Sequence, residues 1–128
     1  MKFYIASSFN NIPSVTYVSE KLKSKGFIHT YDWTKIGGVC TFEELRDIGQ
    51  KEKEAVIQSD FLVILLPAGK GSHIELGIAL GSGKTIYLYS QNEEIYNFET
   101  TSTFYHLPEV EHVMGTLDDL VYILTGSS

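Results

Sequence analysis

The residues best suited to chemistry gather around Glu75 and the stretch that precedes it, Pro67-Ala-Gly-Lys-Gly-Ser-His-Ile. Gly69 and Gly71 permit tight backbone geometry, and Ser72 can start a helix. Free N–H groups at such a start bind phosphate or sugar hydroxyls. Lys70 adds a positive charge to the same loop. Its spacing is not that of a Walker loop, whose lysine stands next to a helix-starting Ser/Thr, so ATP binding by that mechanism has little support. With Ser72 as N-cap, Glu75 takes the third helical position, where a glutamate returns a hydrogen bond to the cap backbone. That capping role and a chemical one coexist only where the carboxylate still faces a pocket. His73 can touch a substrate or simply serve the cap and solvent.

Glu52 is the second carboxylate of interest. Leu45, Ile48 and Ala55 or Val56 mark the inward stripe of a helix, and Glu52 falls on that stripe. A charge there needs a partner, a pocket or access to water. The plainer alternative is a carboxylate that reaches solvent at the helix edge. Ser7 and Ser8 can bind a phosphate. Trp33 can stack on a base or close the edge of the core.

These residues need a scaffold that brings them together. Lys2–Ala6 reads as a short strand rich in Phe, Tyr and Ile. A helix follows from about Pro13, with Val15, Val18 and Leu22 at helical spacing and Gly26 as its stop. Phe27–Tyr31 reads as a second strand, and the Gly37-Gly38 pair as a turn. Thr41 caps the next helix, with Glu44 three residues later, and that helix runs to about Gln58 despite Gly49. Phe61–Leu66 is a continuously apolar run, as expected of a central parallel strand covered on both faces. Ser72–Gly81 reads as a short helix in which Gly77 and Gly81 allow close contact with the sheet. Lys84–Tyr89 is the next strand. Asn92–Ser102 reads as an irregular excursion. Either Phe104–Leu107 or Val110–Val113 supplies a short fifth strand, and Thr116 caps a last helix through Leu124.

Strands alternating with helices predict a flavodoxin-like or Rossmann-like three-layer α/β fold. We expect one domain over residues 1–128, with four or five parallel strands in the order 2-1-3-4-5. Ligands in such folds bind beyond the C-terminal ends of the strands, where the topology reverses. Three segments converge there: Tyr4–Phe9, Tyr31–Thr34 (with Asp32 and Trp33) and Leu66–Glu75.

Composition narrows the function classes. Ten Lys/Arg against sixteen Asp/Glu give a formal charge of -6, and Arg46 is the only arginine. Lys21, Lys23 and Lys25 read as the solvated end of a helix, so no basic patch of the kind that neutralises nucleic-acid phosphates is evident. The longest apolar run, Phe61–Ala68, is too short to cross a bilayer. Met1-Lys2 leads straight into a strand, without the pattern of a signal peptide. Cys40 is the only cysteine, which excludes an internal disulfide and a multi-cysteine metal site and suits a reducing cytoplasm.

The chain resembles the nucleoside 2-deoxyribosyltransferase family and its deoxynucleotide N-hydrolase relatives. The resemblance rests on Phe3-Tyr-Ile-Ala6, the helix ending in Gln58-Ser-Asp60, the strand Phe61–Leu66, and Gly71-Ser-His-Ile-Glu-Leu-Gly-Ile-Ala79 followed by Gly83-Lys84. It implies that Glu75 attacks the anomeric carbon and forms a covalent deoxyribosyl intermediate. It further implies that Tyr4 orients that nucleophile and that Glu52 assists at the nucleobase, where better-known transferases have an aspartate. Substrate contacts are expected from Ser7, Ser8, Asp32, Trp33, Gly69, Lys70, Gly71, Ser72 and His73. The basic loop departs from the acidic or small residues typical of transferases and instead suits a phosphorylated sugar. No metal or cofactor is implied. The expected partners are a deoxynucleoside or deoxynucleotide, an acceptor base, and further copies of the chain. A non-catalytic nucleotide or nucleotide-sugar sensor on the same scaffold is the contrasting possibility.

Overall fold

A computed structural model describes residues 1–126. The elements are β1 (Lys2–Ala6), α1 (Ile12–Ser24), β2 (Ile28–His29), α2 (Phe42–Gln58), β3 (Phe61–Leu65), α3 (Lys70–Gly81), β4 (Thr85–Ser90), β5 (Val110–Met114) and α4 (Leu117–Thr125). The five strands form one parallel sheet in the order β2-β1-β3-β4-β5, as expected. The direction of travel reverses after β2, so right-handed crossovers carry α1 to one face and α2 and α3 to the other. Accordingly α1 packs beside α4, and α2 beside α3.

Local chemistry explains the boundaries. Gly26 adopts φ +88°, and the chain closes α1 through Gly26 N–H to Lys23 and Phe27 N–H to Leu22. The Thr41 hydroxyl oxygen accepts the Glu44 N–H at 3.1 Å and caps α2. Thr116 and Asp119 satisfy each other's backbone N–H groups at the start of α4. The apolar run around β3 is central, and every residue of the strand is buried.

The choice left open for the fifth strand is settled, and two expectations change. Val110–Met114 supplies the fifth strand, while Thr103–His106 forms a 3-10 turn. Strand β2 spans two residues rather than Phe27–Tyr31. The ladder bonds Ile28 N–H to Met1 and Thr30 N–H to Phe3 would next reach Ile5, but the Trp33 indole N–H takes that carbonyl at 2.6 Å. Gly77 and Gly81 do not support close helix–sheet contact. Both are exposed, and an added Cβ would meet nothing within 4 Å. The helical phase turns Ser72, Glu75, Leu76 and Ala79 inward instead.

At the edge of the sheet, His29 stacks on Phe3 with ring centroids 4.6 Å apart. Both of its ring nitrogens are buried without a hydrogen-bond partner. Burial lowers its pKa to about 4. Between pH 6.5 and 4 the unfolded chain therefore binds a proton that the folded chain refuses, so stability falls as pH drops through that window. Denaturant titrations at pH 7 and pH 4.5 should show His29→Phe losing less stability than the parent, by on the order of 1–2 kcal/mol.

Candidate active site

The reversal of topology between β1 and β3 opens a cleft at their C-terminal ends. Pairing of Tyr4 with Leu62 and Ala6 with Ile64 brings the two strand ends level. Side chains alternate along β1, and Tyr4 points toward the α2–α3 layer, where its hydroxyl donates a hydrogen bond to Glu75 Oε2. Tyr4 is fully buried and Glu75 is 8% exposed. Half-buried Glu52 approaches the same pair from α2.

Burial dominates the electrostatics. It raises Glu75 to about 8, with the Tyr4 hydrogen bond working against the rise and the neighbouring Glu52 charge adding to it. Burial likewise raises Glu52, offset by hydrogen bonding toward Glu75 and Tyr4. Tyr4 is pushed up by burial and then by Glu75, so its hydroxyl remains a proton donor. Two carboxyl groups this close do not both ionise readily. A singly protonated pair offers one nucleophilic carboxylate and one acid.

The first turn of α3 is fixed from two sides. Gly69 is the N-cap, and Ser72 Oγ accepts its N–H at 3.3 Å while donating to the Ser7 carbonyl at 2.7 Å. Helix α3 thus starts two residues before Ser72, and Glu75 is its sixth residue rather than its third. The expected capping role passes from Glu75 to Ser72, leaving the Glu75 carboxylate to the cleft. Neither Gly69 nor Gly71 has positive φ. An added Cβ would meet only Ser8 Cβ at 3.8 Å from Gly69, and nothing within 4 Å from Gly71, so tight geometry is not what these glycines supply.

The cleft has a volume of about 240 Å³. It is lined by Ser7, Ser8, Phe9 and Trp33, by Glu52 and Glu75, and by the run Gly69-Lys70-Gly71-Ser72, which packs against Ser7 and Ser8. Larger hollows lie around Tyr96 (about 390 Å³) and Tyr17 (about 590 Å³), and one of about 460 Å³ holds Glu93 and Glu94, neither of them buried.

No family model and no curated protein matches the chain. Solved structures do. A CMP N-glycosidase from Clostridium botulinum superimposes with a TM-score of 0.69, at 16% identity over 97% of this chain and 98% of that one. A 2-deoxyribosyltransferase from Bacillus psychrosaccharolyticus gives a TM-score of 0.68, at 20% identity over 94% of this chain and 90% of the other. A conserved protein from Enterococcus faecalis V583 gives 0.58, at 16% identity over 94% of both chains. The chain has the 2-deoxyribosyltransferase fold.

Within that deoxyribosyltransferase fold, most of the expected site residues meet in the cleft. Tyr4, Glu52 and Glu75 come together across 71 residues of sequence. Ser7 lines the wall while its hydroxyl donates to the Leu65 carbonyl at 2.8 Å, and Ser8 Oγ is buried with no partner. Trp33 is 4% exposed with its N–H satisfied by Ile5, so closing the core edge is its principal role, although it still touches the cleft. Three residues stand outside the lining: Tyr4, which lies buried behind Glu75, and Asp32 and His73. Asp32 caps the turn Trp33–Lys35; burial raises its carboxyl, but hydrogen bonds from Thr34 outweigh this and lower it. His73 spends both ring nitrogens on Gly69 and Tyr105. Phe9, the last residue of the converging segment Tyr4–Phe9 but not itself among the expected contacts, forms part of the wall, 66% exposed and edge-on to Trp33 at 5.4 Å. Its place beside Ser7 and Ser8, in the loop after the first strand, was the available signal.

The raised Glu75 pKa has a sign that can be tested. Between about pH 4.5 and 8 the folded chain holds a proton at Glu75 that the unfolded chain releases, so this group lowers stability as pH rises through the window. Glu75→Gln keeps an acceptor for Tyr4 and removes the titration. Its stability relative to the parent should rise by on the order of 1–3 kcal/mol from pH 4.5 to 8.5 in paired denaturant titrations.

Proposed function

We propose that the protein cleaves the N-glycosidic bond of a deoxynucleoside through a covalent glutamyl-deoxyribosyl intermediate and transfers the sugar to a second base. One observation carries this reading: a buried carboxyl held by a tyrosine hydroxyl, with a second carboxyl beside it on the lining of the same cleft. In the reactive form of the singly protonated pair the shared proton lies on Glu52: Glu75 attacks C1′ as the bond to the base breaks, and Glu52 gives that proton to the departing base. Glu52 then takes a proton from the incoming base as that base displaces Glu75. Two carboxyl groups roughly 5 Å apart perform the same double displacement in retaining glycosidases. Tyr4 orients the attacking oxygen, and Phe9 offers an exposed ring for the base. Metal and redox chemistry have no part in this scheme.

The fold likenesses to a 2-deoxyribosyltransferase and a CMP N-glycosidase support an N-glycoside reaction without choosing between transfer and hydrolysis. Lys70 at the first helical position, on the wall of the cleft, favours a second reading. In it the substrate carries a 5′-phosphate near the start of α3 and water replaces the acceptor base. We place the activity in the cytoplasm, and place self-association on the α2–α3 layer, where Phe42 is 85% and Ile74 62% exposed.

Product analysis separates these readings. Deoxynucleosides and their 5′-monophosphates are incubated with and without acceptor bases. Exchange of bases identifies transfer, and free base formed without an acceptor identifies hydrolysis. Saturable binding with no product identifies a sensor. Glu75→Ala should lower turnover by about 10³-fold or more, and equal turnover in both proteins would remove Glu75 as nucleophile.

The pH profile gives a further check. The rate should follow the singly protonated pair and be bell-shaped. Glu52→Gln removes the second ionisation of the pair, so the descending limb should be lost while the maximal rate falls by about 10²-fold.

A further inference from the structure

The turn that carries Glu75 is tied to a part of the chain far from it in sequence. His73 Nδ1 lies 2.7 Å from the Gly69 carbonyl, and its Nε2 lies 2.6 Å from the Tyr105 hydroxyl. A carbonyl only accepts, so Nδ1 carries the hydrogen. In the neutral ring Nε2 then accepts from Tyr105. The rings also stack, with centroids 5.8 Å apart at 19°.

Tyr105 is well placed to act as an anchor. It is 5% exposed and sits in the 3-10 turn Thr103–His106 of the excursion between β4 and β5. Its carbonyl accepts from His112 Nε2 on β5, and His112 Nδ1 accepts from the Tyr96 hydroxyl. A continuous path therefore runs from the last strand through Tyr105 and His73 to Gly69. Gly69 is both the cap of α3 and a wall of the cleft. The Gly69 carbonyl receives two bonds from one residue, the His73 N–H at 3.2 Å and the ring at 2.7 Å. Holding the ring thus holds the cap, and Glu75 stands two residues beyond His73.

We propose that Tyr105 is a positioning residue for the Glu75 turn, acting through His73. The effect on rate rests on the proposed role of Glu75 as nucleophile, whereas the effect on the turn does not. Loss of the Tyr105 hydroxyl leaves Nε2 without its buried donor and frees the ring to release Gly69. A small displacement of a reacting group costs rate rather than affinity.

The test compares the parent with Tyr105→Phe, His73→Asn, His73→Gln and the double variant Tyr105→Phe/His73→Asn. An Asn amide reaches the Nδ1 position and keeps the Gly69 bond, whereas a Gln amide reaches the Nε2 position and keeps the Tyr105 bond. Hydrogen exchange of the amides from 69 to 75 is measured alongside kcat and KM for a deoxynucleoside. Tyr105→Phe should speed exchange in that segment about tenfold, leaving β4 and β5 protected. It should lower kcat about tenfold with KM within about twofold. The double variant should be no worse than the more affected single variant, since both remove one bond. Unchanged exchange at 69–75, additive losses, or equal acceleration throughout β4 and β5 would each overturn the proposal. Absence of turnover in the parent would count against the N-glycoside reading alone, because the exchange measurement still decides whether Tyr105 holds the turn.

Discussion

The bond from the Tyr4 hydroxyl to Glu75 is the constraint around which the structure is arranged. It joins the middle of β1 to the second turn of α3, two elements that meet only when β1 and β3 are neighbours in register and α3 crosses back over them. A hydroxyl and a carboxyl buried to this degree are each costly to leave unpaired. The hydrophobic sheet supplies the enclosure and the topology supplies the meeting. Ser72 completes the arrangement by capping α3 and bonding to the loop after β1, which sets the height of the helix over the strand ends.

Enclosure has a thermodynamic cost. A carboxyl raised to about 8 is less stable ionised in the folded chain than in the unfolded one. Helix α2 adds a second carboxyl to the same space, and burial and proximity keep the pair protonated further up the pH scale than isolated side chains. A core chosen for stability alone would place an apolar residue at either position. Groups held against their solvation preference in a cleft are the arrangement expected of a reactive site.

The legible parts of this fold are those specified by local chemistry. The apolar run of β3, the glycine stop of α1 and the Thr caps of α2 and α4 are short-range signals, and each appears where the pattern put it. Strand β2 is shorter than its apolar pattern predicts because a side chain from beyond its end competes for the next ladder position. Helix α3 starts two residues before the position that Ser72, a good cap by type, predicts, because here Ser72 caps from inside the helix. The stripe read for α2 is inward only in its second half, since Ala55 and Val56 are buried while Leu45 is 54% exposed, yet half-buried Glu52 does lie on it. The excursion after β4 was opaque: its order comes from His73, His106, His112 and the tyrosines they face, and such side-chain networks have no sequence period.

The Trp33 indole has a consequence at the margin of the molecule. By taking the Ile5 carbonyl, it ends β2 after two residues, and β2 is the outermost strand on that side of the sheet. Unpaired backbone groups along an outer strand invite pairing with another chain. Here the invitation is withdrawn: the outer strand is too short to template a neighbour, and the rim of β1 beyond it lies under a buried aromatic ring. One side chain thus walls the cleft and guards the sheet against edge-to-edge aggregation.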